Sequence, residues 1–267
     1  CTGNRDQALS YYHECLQADE RTGDMFGRLR LLGHLGLLHM TYGEYERALG
    51  YYQEAFQLAT GLNLPDIMAN IAINLGQLAY FQGELDRAHD YLLRGYTIAQ
   101  EHGDGRHATD SLYRLGDVVL ARGDYQAGLR YGEQALVQAR QVASDGFVAS
   151  ALRVIGEAYT CLGRLGEAAA YLAEAQAVQA HVDDPYDQVL LSVAAARLAL
   201  LQGDIARAGE HGAAAEQLAR QHGFTFPLQK AQRVQHDIAE HREASGRSPG
   251  SATETAAQVN AIQTLPM

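Results

Sequence analysis

The sequence predicts an all-α fold, an α-α superhelix of about six helix-turn-helix repeats closed by a C-terminal capping helix. Three observations carry that expectation. Gly3, Gly43, Gly83, Gly123, Gly163 and Gly203 recur forty residues apart. Five residues after each stands a small residue: Ala8, Ala48, Ala88, Gly128, Ala168 and Ala208. Seven further on stand Cys15, Ala55, Gly95, Ala135, Ala175 and Ala215, again all small. Self-similarity at such a period marks stacked supersecondary units rather than one globular core. Small residues at fixed phases let neighbouring helix backbones approach closely.

The elements follow in order. Residues 1–24 supply only the second helix of an incomplete N-terminal repeat, near 4–20. In the next repeat Leu29, Leu32, Leu35, His39 and Tyr42 recur at spacings of three and four, one face of a helix over 25–42. Gly43 breaks that helix. Ala48, Tyr52, Ala55 and Ala59 resume the period on a second helix over 44–61. The same clock predicts helices near 66–82, 84–101, 106–122, 124–141, 146–162, 164–180, 186–202 and 204–221. Leu35-Gly36, Leu75-Gly76, Leu115-Gly116 and Ile155-Gly156 place a glycine inside four first helices. Mid-helix Gly costs about 1 kcal/mol relative to Ala, so the missing side chain must make room for a neighbour. Gly128 stands where other repeats hold Ala, so Gly128→Ala is expected to be mild or stabilising.

Pro65 and Pro185 share one phase and suit a helix's first turn; Gly105 and Asp145 stand at that phase between them. Gly103 and Gly223 end second helices. A helix over 226–242 carries Gln229, Lys230, Gln232, Arg233, Gln235 and Asp237, a polarity suited to an end cap that closes the repeat region 25–243. Residues 244–267, opening with a small polar run from Ser245, are expected to form a mobile tail.

Composition narrows function. The net charge is −11, and of 21 basic residues only Lys230 is lysine. Clustered basic residues are missing, so direct nucleic-acid binding by this segment is not expected. Three cysteines, an odd number, argue against a disulfide framework; Cys15 and Cys161 read as small packed residues. No apolar run is long enough to span a bilayer and no signal peptide is evident, so a cytoplasmic, membrane-free protein is expected. The Ala-, Gly- and Arg-rich usage points to a bacterial source. No glycine-rich phosphate loop, GxSxG or HExxH occurs. No catalytic residue, metal ligand or cofactor is assigned.

The run Leu35-Gly36 … Tyr42-Gly43-Glu44-Tyr45-Glu46-Arg47-Ala48 … Tyr52-Gln53-Glu54-Ala55 resembles the tetratricopeptide repeat (TPR). The resemblance covers residues 1–243. It departs in period, forty residues against the usual 34, and in Thr60, which stands where a terminal Pro is usual. The forty-residue variety is similar to C-terminal sensor arrays of bacterial multidomain transcriptional and signalling regulators. That implies a non-enzymatic TPR-like solenoid binding a protein, a peptide or a small effector. A chain opening on Cys1 rather than Met fits the C-terminal part of a longer protein. Two alternatives stay open: a free-standing adaptor that assembles other proteins, and an array fused to an upstream catalytic domain.

In such arrays the first helix of each pair lines the concave groove. Carried onto this chain, the groove residues are Asn70, Asn74, Gln77 and Tyr80, then Asp110, Tyr113, Arg114 and Asp117, then Arg153 and Glu157, then Arg197. Asn and Gln can pair both groups of an extended peptide backbone. Arg offers a forked donor for carboxylate or phosphate. The alternative is that these are solvated polar residues joined by salt bridges. The family's Lys-and-Asn clamp for a C-terminal carboxylate is not supported, because no Lys precedes Lys230. Tyr11, Tyr51, Tyr91, Tyr131 and Tyr171, with His211, form a file expected to pack between second helices.

Overall fold

The structure, a computed structural model, describes residues 2–246. Twelve helices and no strand occur among these residues: α1 (Thr2–Thr22), α2 (Met25–Thr41), α3 (Tyr45–Gly61), α4 (Pro65–Phe81), α5 (Leu85–Glu101), α6 (Gly105–Ala121), α7 (Tyr125–Gln141), α8 (Asp145–Cys161), α9 (Leu165–Gln179), α10 (Pro185–Leu201), α11 (Ile205–His222) and α12 (Thr225–Gly246). The fold is an all-α, TPR-like solenoid of helical hairpins. Two expected boundaries shift. Gly3 lies inside α1 rather than in a turn. α12 continues through Ser245 to Gly246; the rest of the expected tail, 247–267, lies outside the described residues.

The turns explain the forty-residue glycines. Gly43, Gly83, Gly123, Gly163 and Gly203 all have φ between 73° and 84°, in the left-handed region that only glycine enters without steric cost. That conformation lets Gly43 N–H reach the Met40 carbonyl and Glu44 N–H reach that of His39, satisfying carbonyls a helix end would leave bare. The second helices end the same way at Gly23, Gly103 and Gly223. Asn63 and Ala143 hold the corresponding phase with φ of 52°. Entry is set by carboxylates: Asp24, Asp124 and Asp204 each accept from a first-turn N–H.

The mid-helix glycines sit where a side chain would collide. A Cβ at Gly36 would lie 2.5 Å from the Tyr52 ring, and at Gly76 2.6 Å from Leu92. At Gly116 it would meet Val154, and at Gly156 Leu172, each at 2.6 Å. The neighbour's side chain fills the place of the missing one, and so each glycine brings two helices together. Gly128 differs from expectation. Leu120 has already grown into the vacancy, and a Cβ there would come within 2.3 Å of Leu120 Cδ2.

The chain forms two compact units, one ending at Ala108 and the other starting at Thr109, within α6. In the first, α2 packs on α3, α3 on α4 and α4 on α5. Its core holds Leu29, Leu32, Tyr52, Ile71, Leu75 and Leu78. In the second, α7 packs on α8, α8 on α9, α10 on α11 and α11 on α12. α12 also packs against α10, burying Val234 and Ile238 with Ala196, Ala199 and Ala208. The tyrosine file behaves as expected only in part. Tyr51 on α3 meets His13 Nε2 of α1, the preceding second helix, through its hydroxyl at 3.2 Å, while its ring stacks on His39 of α2. The Tyr171 ring stacks on Tyr159 of α8 in its own hairpin. Tyr11 is exposed.

Candidate functional site

The polar residues singled out from the sequence fall into two clusters, one in each unit. In the first unit Asn70, Asn74 and Gln77 follow one face of α4 at spacings of four and three. Asn70 is exposed, while Asn74, Gln77 and Tyr80 are half-buried. The amides form a directed chain. Asn74 Nδ2 donates to Asn70 Oδ1 at 2.8 Å, and Asn70 Nδ2 meets His107 Nε2 at 3.2 Å. His107 Nδ1 lies 2.5 Å from Asp104 Oδ2. An ionised Asp104 can only accept, so His107 Nδ1–H donates to it and Nε2 is left to accept from Asn70 Nδ2; each amide orientation follows from the carboxylate. Burial would raise the Asp104 carboxyl. The His107 ring and the backbone N–H groups of His107 and Arg106 outweigh it and hold the carboxyl below its ordinary value. The chain ends with the Oδ1 of Asn74, an acceptor on the α4 face.

The second unit holds a denser cluster. Arg153 of α8 donates through Nη1 and Nη2 to both oxygens of Asp117 on α6, each at 2.8 Å, and through Nη1 to Glu157 at 2.7 Å. Arg114 Nε donates to Asp110 one turn back at 2.5 Å. The Ser150 hydroxyl donates to Asp187 on the first turn of α10. Tyr113 lies beside Asp110 and packs on Phe147. Arg197 lies on α10, half-buried, and acts electrostatically on Cys161 and Asp237.

Two residues expected on an open face are buried. Arg153 is 3% exposed and Tyr113 5%. The reason is the helix they occupy or face: α8 buries twelve of its seventeen residues, leaving almost no solvent side. A buried guanidinium persists only when paired. Here burial opposes its charge, yet Asp117 and Glu157 hold it protonated well above the ordinary arginine value. Burial likewise opposes Arg114, and Asp110 raises it. Asp187 goes the other way. Burial and the neighbouring Asp184 push its carboxyl above its ordinary value, against Arg153, Ser150 and Arg114. The Cys161 thiol is pushed up to about 11, first by burial, and stays a neutral packed group near pH 7.

His107, Ser150 and Asp187 were not singled out from the sequence. Two had a readable signal: Ser150 shares the phase of Asn70 and Asp110, and Asp187 that of His107. Among the described residues, no group of three or more His, Cys, Asp and Glu is placed to hold a metal ion. No described helix is long and apolar enough to cross a membrane.

Hairpins of this kind, bearing polar first-helix faces and joined by left-handed turns, define a tetratricopeptide-type repeat protein. The chain belongs to the family described as the MalT-like TPR region, whose model matches residues 1–155. Among curated proteins it is similar to the Photosystem I assembly protein Ycf3 of Rippkaea orientalis, 32% identical over 85 residues. That alignment takes in 32% of this chain and 44% of the relative. The chain spans about half the length of the curated relatives it matches. Among solved structures it is similar to BtubC (BKLC) from P. vanneervenii, with a TM-score of 0.64 at 18% identity over 83% of this chain and 93% of that one. A Rap protein complexed with Competence and Sporulation Factor superposes with a TM-score of 0.63 at 13% identity, covering 90% of this chain and 72% of that one. Both structural likenesses concern the fold.

Proposed function

We propose that this chain is a non-catalytic scaffold that receives a peptide or protein segment on its first-helix faces, as the sensor region of a bacterial regulator. The observation that carries the reading is the recurrence of hydrogen-bonding side chains at fixed forty-residue phases of α4, α6, α8 and α10. Phase 70 holds Asn70, Asp110 and Ser150; phase 77 holds Gln77, Asp117, Glu157 and Arg197. Core packing alone is served by apolar residues there. Most of these positions are half-buried, where polar groups lose part of their hydration, so keeping them at one phase favours a face that engages something polar. An extended backbone offers N–H and C=O groups of the matching kind. The Rap protein solved with Competence and Sporulation Factor supports the reading at the level of the fold.

A second reading, an adaptor that assembles other proteins, is favoured by the similarity to Photosystem I assembly protein Ycf3. One experiment addresses the first reading directly. A random peptide library is selected on the immobilised chain, and the enriched peptides are titrated against Asn74→Ala and Arg114→Ala variants. Affinity lower by about tenfold, the loss of one unreplaced hydrogen bond, supports binding at these faces. Enriched peptides that bind both variants like the parent would move the partner surface elsewhere. Co-purification of a stable complex untouched by either variant would favour the adaptor reading.

A further inference from the structure

The cluster of the second unit is unbalanced. Asp110, Asp117, Glu157 and Asp187 set four carboxylates against the two guanidinium groups of Arg114 and Arg153. Both guanidinium groups are committed: Arg114 to Asp110, Arg153 to Asp117 and Glu157. Asp187 receives the Ser150 hydroxyl, which brings no charge. The site has a floor and a rim. Arg153 forms the floor, its side chain 3% exposed, while the side chains of Asp117, Glu157, Asp110 and Arg114 keep between 12% and 22% of their surface open.

A second, independent observation concerns a donor. Arg153 Nε is buried and has no acceptor among the described residues. A buried N–H left in that state costs the full desolvation of the group, so an acceptor arriving from outside would relieve it. The cluster therefore lacks positive charge at its rim and one acceptor at its floor. Both are features of a basic peptide: a cationic group, with backbone carbonyls a few bonds away.

We propose that the face formed by Asp110, Asp117, Ser150, Arg153, Glu157 and Asp187 selects a peptide by a cationic group, which it holds among the carboxylates while a neighbouring carbonyl accepts from Arg153 Nε. The inference deepens the peptide-binding reading and rests on it. A Lys or Arg side chain and the peptide's free amino terminus offer the carboxylates the same cationic chemistry, and the test separates the two.

The test uses the full chain and three pools of random heptapeptides read by fluorescence anisotropy. One pool carries Lys and Arg at fixed positions. In the second these are replaced by norleucine and citrulline and the amino termini are acetylated, so that no cation remains. The third is the first pool with acetylated amino termini. The basic pool should bind at least tenfold more tightly than its neutral counterpart. Asp187→Asn and Asp110→Asn should each erase most of that preference, and Asp86→Asn, at an exposed position of α5, should keep it. Thermal melts establish that each variant is folded. If acetylation removes the preference, the cation is the amino terminus; if it does not, the cation is the side chain. Pools that bind equally regardless of charge, or a preference that survives both second-unit variants, would overturn the proposal and leave peptide binding standing. Absence of binding by every pool would overturn the peptide reading itself.

Discussion

At the scale of single residues, Arg153 sets the terms. Its pairing with Asp117 and Glu157 satisfies a buried guanidinium and two carboxylates with little access to water, so removing the guanidinium leaves both carboxylates unpaired in a poorly solvated place. Arg153→Leu should lower unfolding free energy by about 3–5 kcal/mol, read from urea denaturation. Replacing Arg153, Asp117 and Glu157 together with apolar residues should restore most of that loss, because no charge is then left unpaired. A single variant as stable as the parent would mean the trio is solvated. Ala143 makes a smaller case. A left-handed residue bearing a Cβ costs about 1–2 kcal/mol, and glycine's greater freedom in the unfolded chain returns about 0.5–1 of it. Ala143→Gly should therefore stabilise by about 0.5 kcal/mol. A lower midpoint would show that the turn at 143 carries no strain.

Residue by residue, the sequence was legible where the repeat was strict and opaque where repeats differ. Turn glycines, small helix-crossing residues and the polar phases could all be read from periodicity. The burial of Arg153 could not. Phase 73 holds Ile73, Tyr113, Arg153 and Val193, and only the three-dimensional neighbourhood reveals that the arginine shares the environment of its apolar counterparts. Its solvation depends on Asp117, thirty-six residues away in the chain.

At the scale of elements, hairpin packing and helix capping give opposite kinds of test. Ala48 and Ala168 are fully buried at helix crossings. Ala48→Leu or Ala168→Leu should destabilise by about 1–3 kcal/mol through overpacking. Gly128→Ala, which periodicity alone would rate mild, should also destabilise, since Leu120 fills the space. If it stabilises instead, Leu120 has moved to another rotamer at no cost. Capping links stability to pH with predictable sign. The Asp104 carboxyl is held low in the folded chain, so it contributes stability at neutral pH that is lost as pH falls through the carboxylate range. Asp187 is pushed up, so its ionisation costs stability at neutral pH and the cost vanishes in acid. At pH 7, Asp104→Asn should melt below the parent and Asp187→Asn above it, the Asp187 difference shrinking toward pH 4 and the Asp104 difference only as pH falls below the ordinary carboxylate value. Parallel shifts at every pH would show that neither carboxyl is perturbed.

At the scale of the whole molecule, charge dominates. A net charge of −11 on 267 residues repels anions and attracts cations over roughly the Debye length, about 10 Å at 0.1 M salt. Association with a basic peptide should weaken as salt rises from 50 to 300 mM, mostly through a slower on-rate. Stopped-flow mixing separates the two rates. An on-rate indifferent to salt would assign recognition to short-range contacts alone.

The left-handed turns have a consequence for how such a chain can change over generations. Because hairpins end in nearly the same backbone conformation, a gene segment of one period can be duplicated or lost without redesigning a joint. Repeat length is thus cheap to alter by unequal recombination. The charged trio withdraws repeats three and four from that exchange. Were repeat five copied over repeat four, Val193 would stand opposite Asp117 in place of Arg153, and a buried carboxylate would lose its counter-ion. Turns make the modules interchangeable, and one arginine fixes their order.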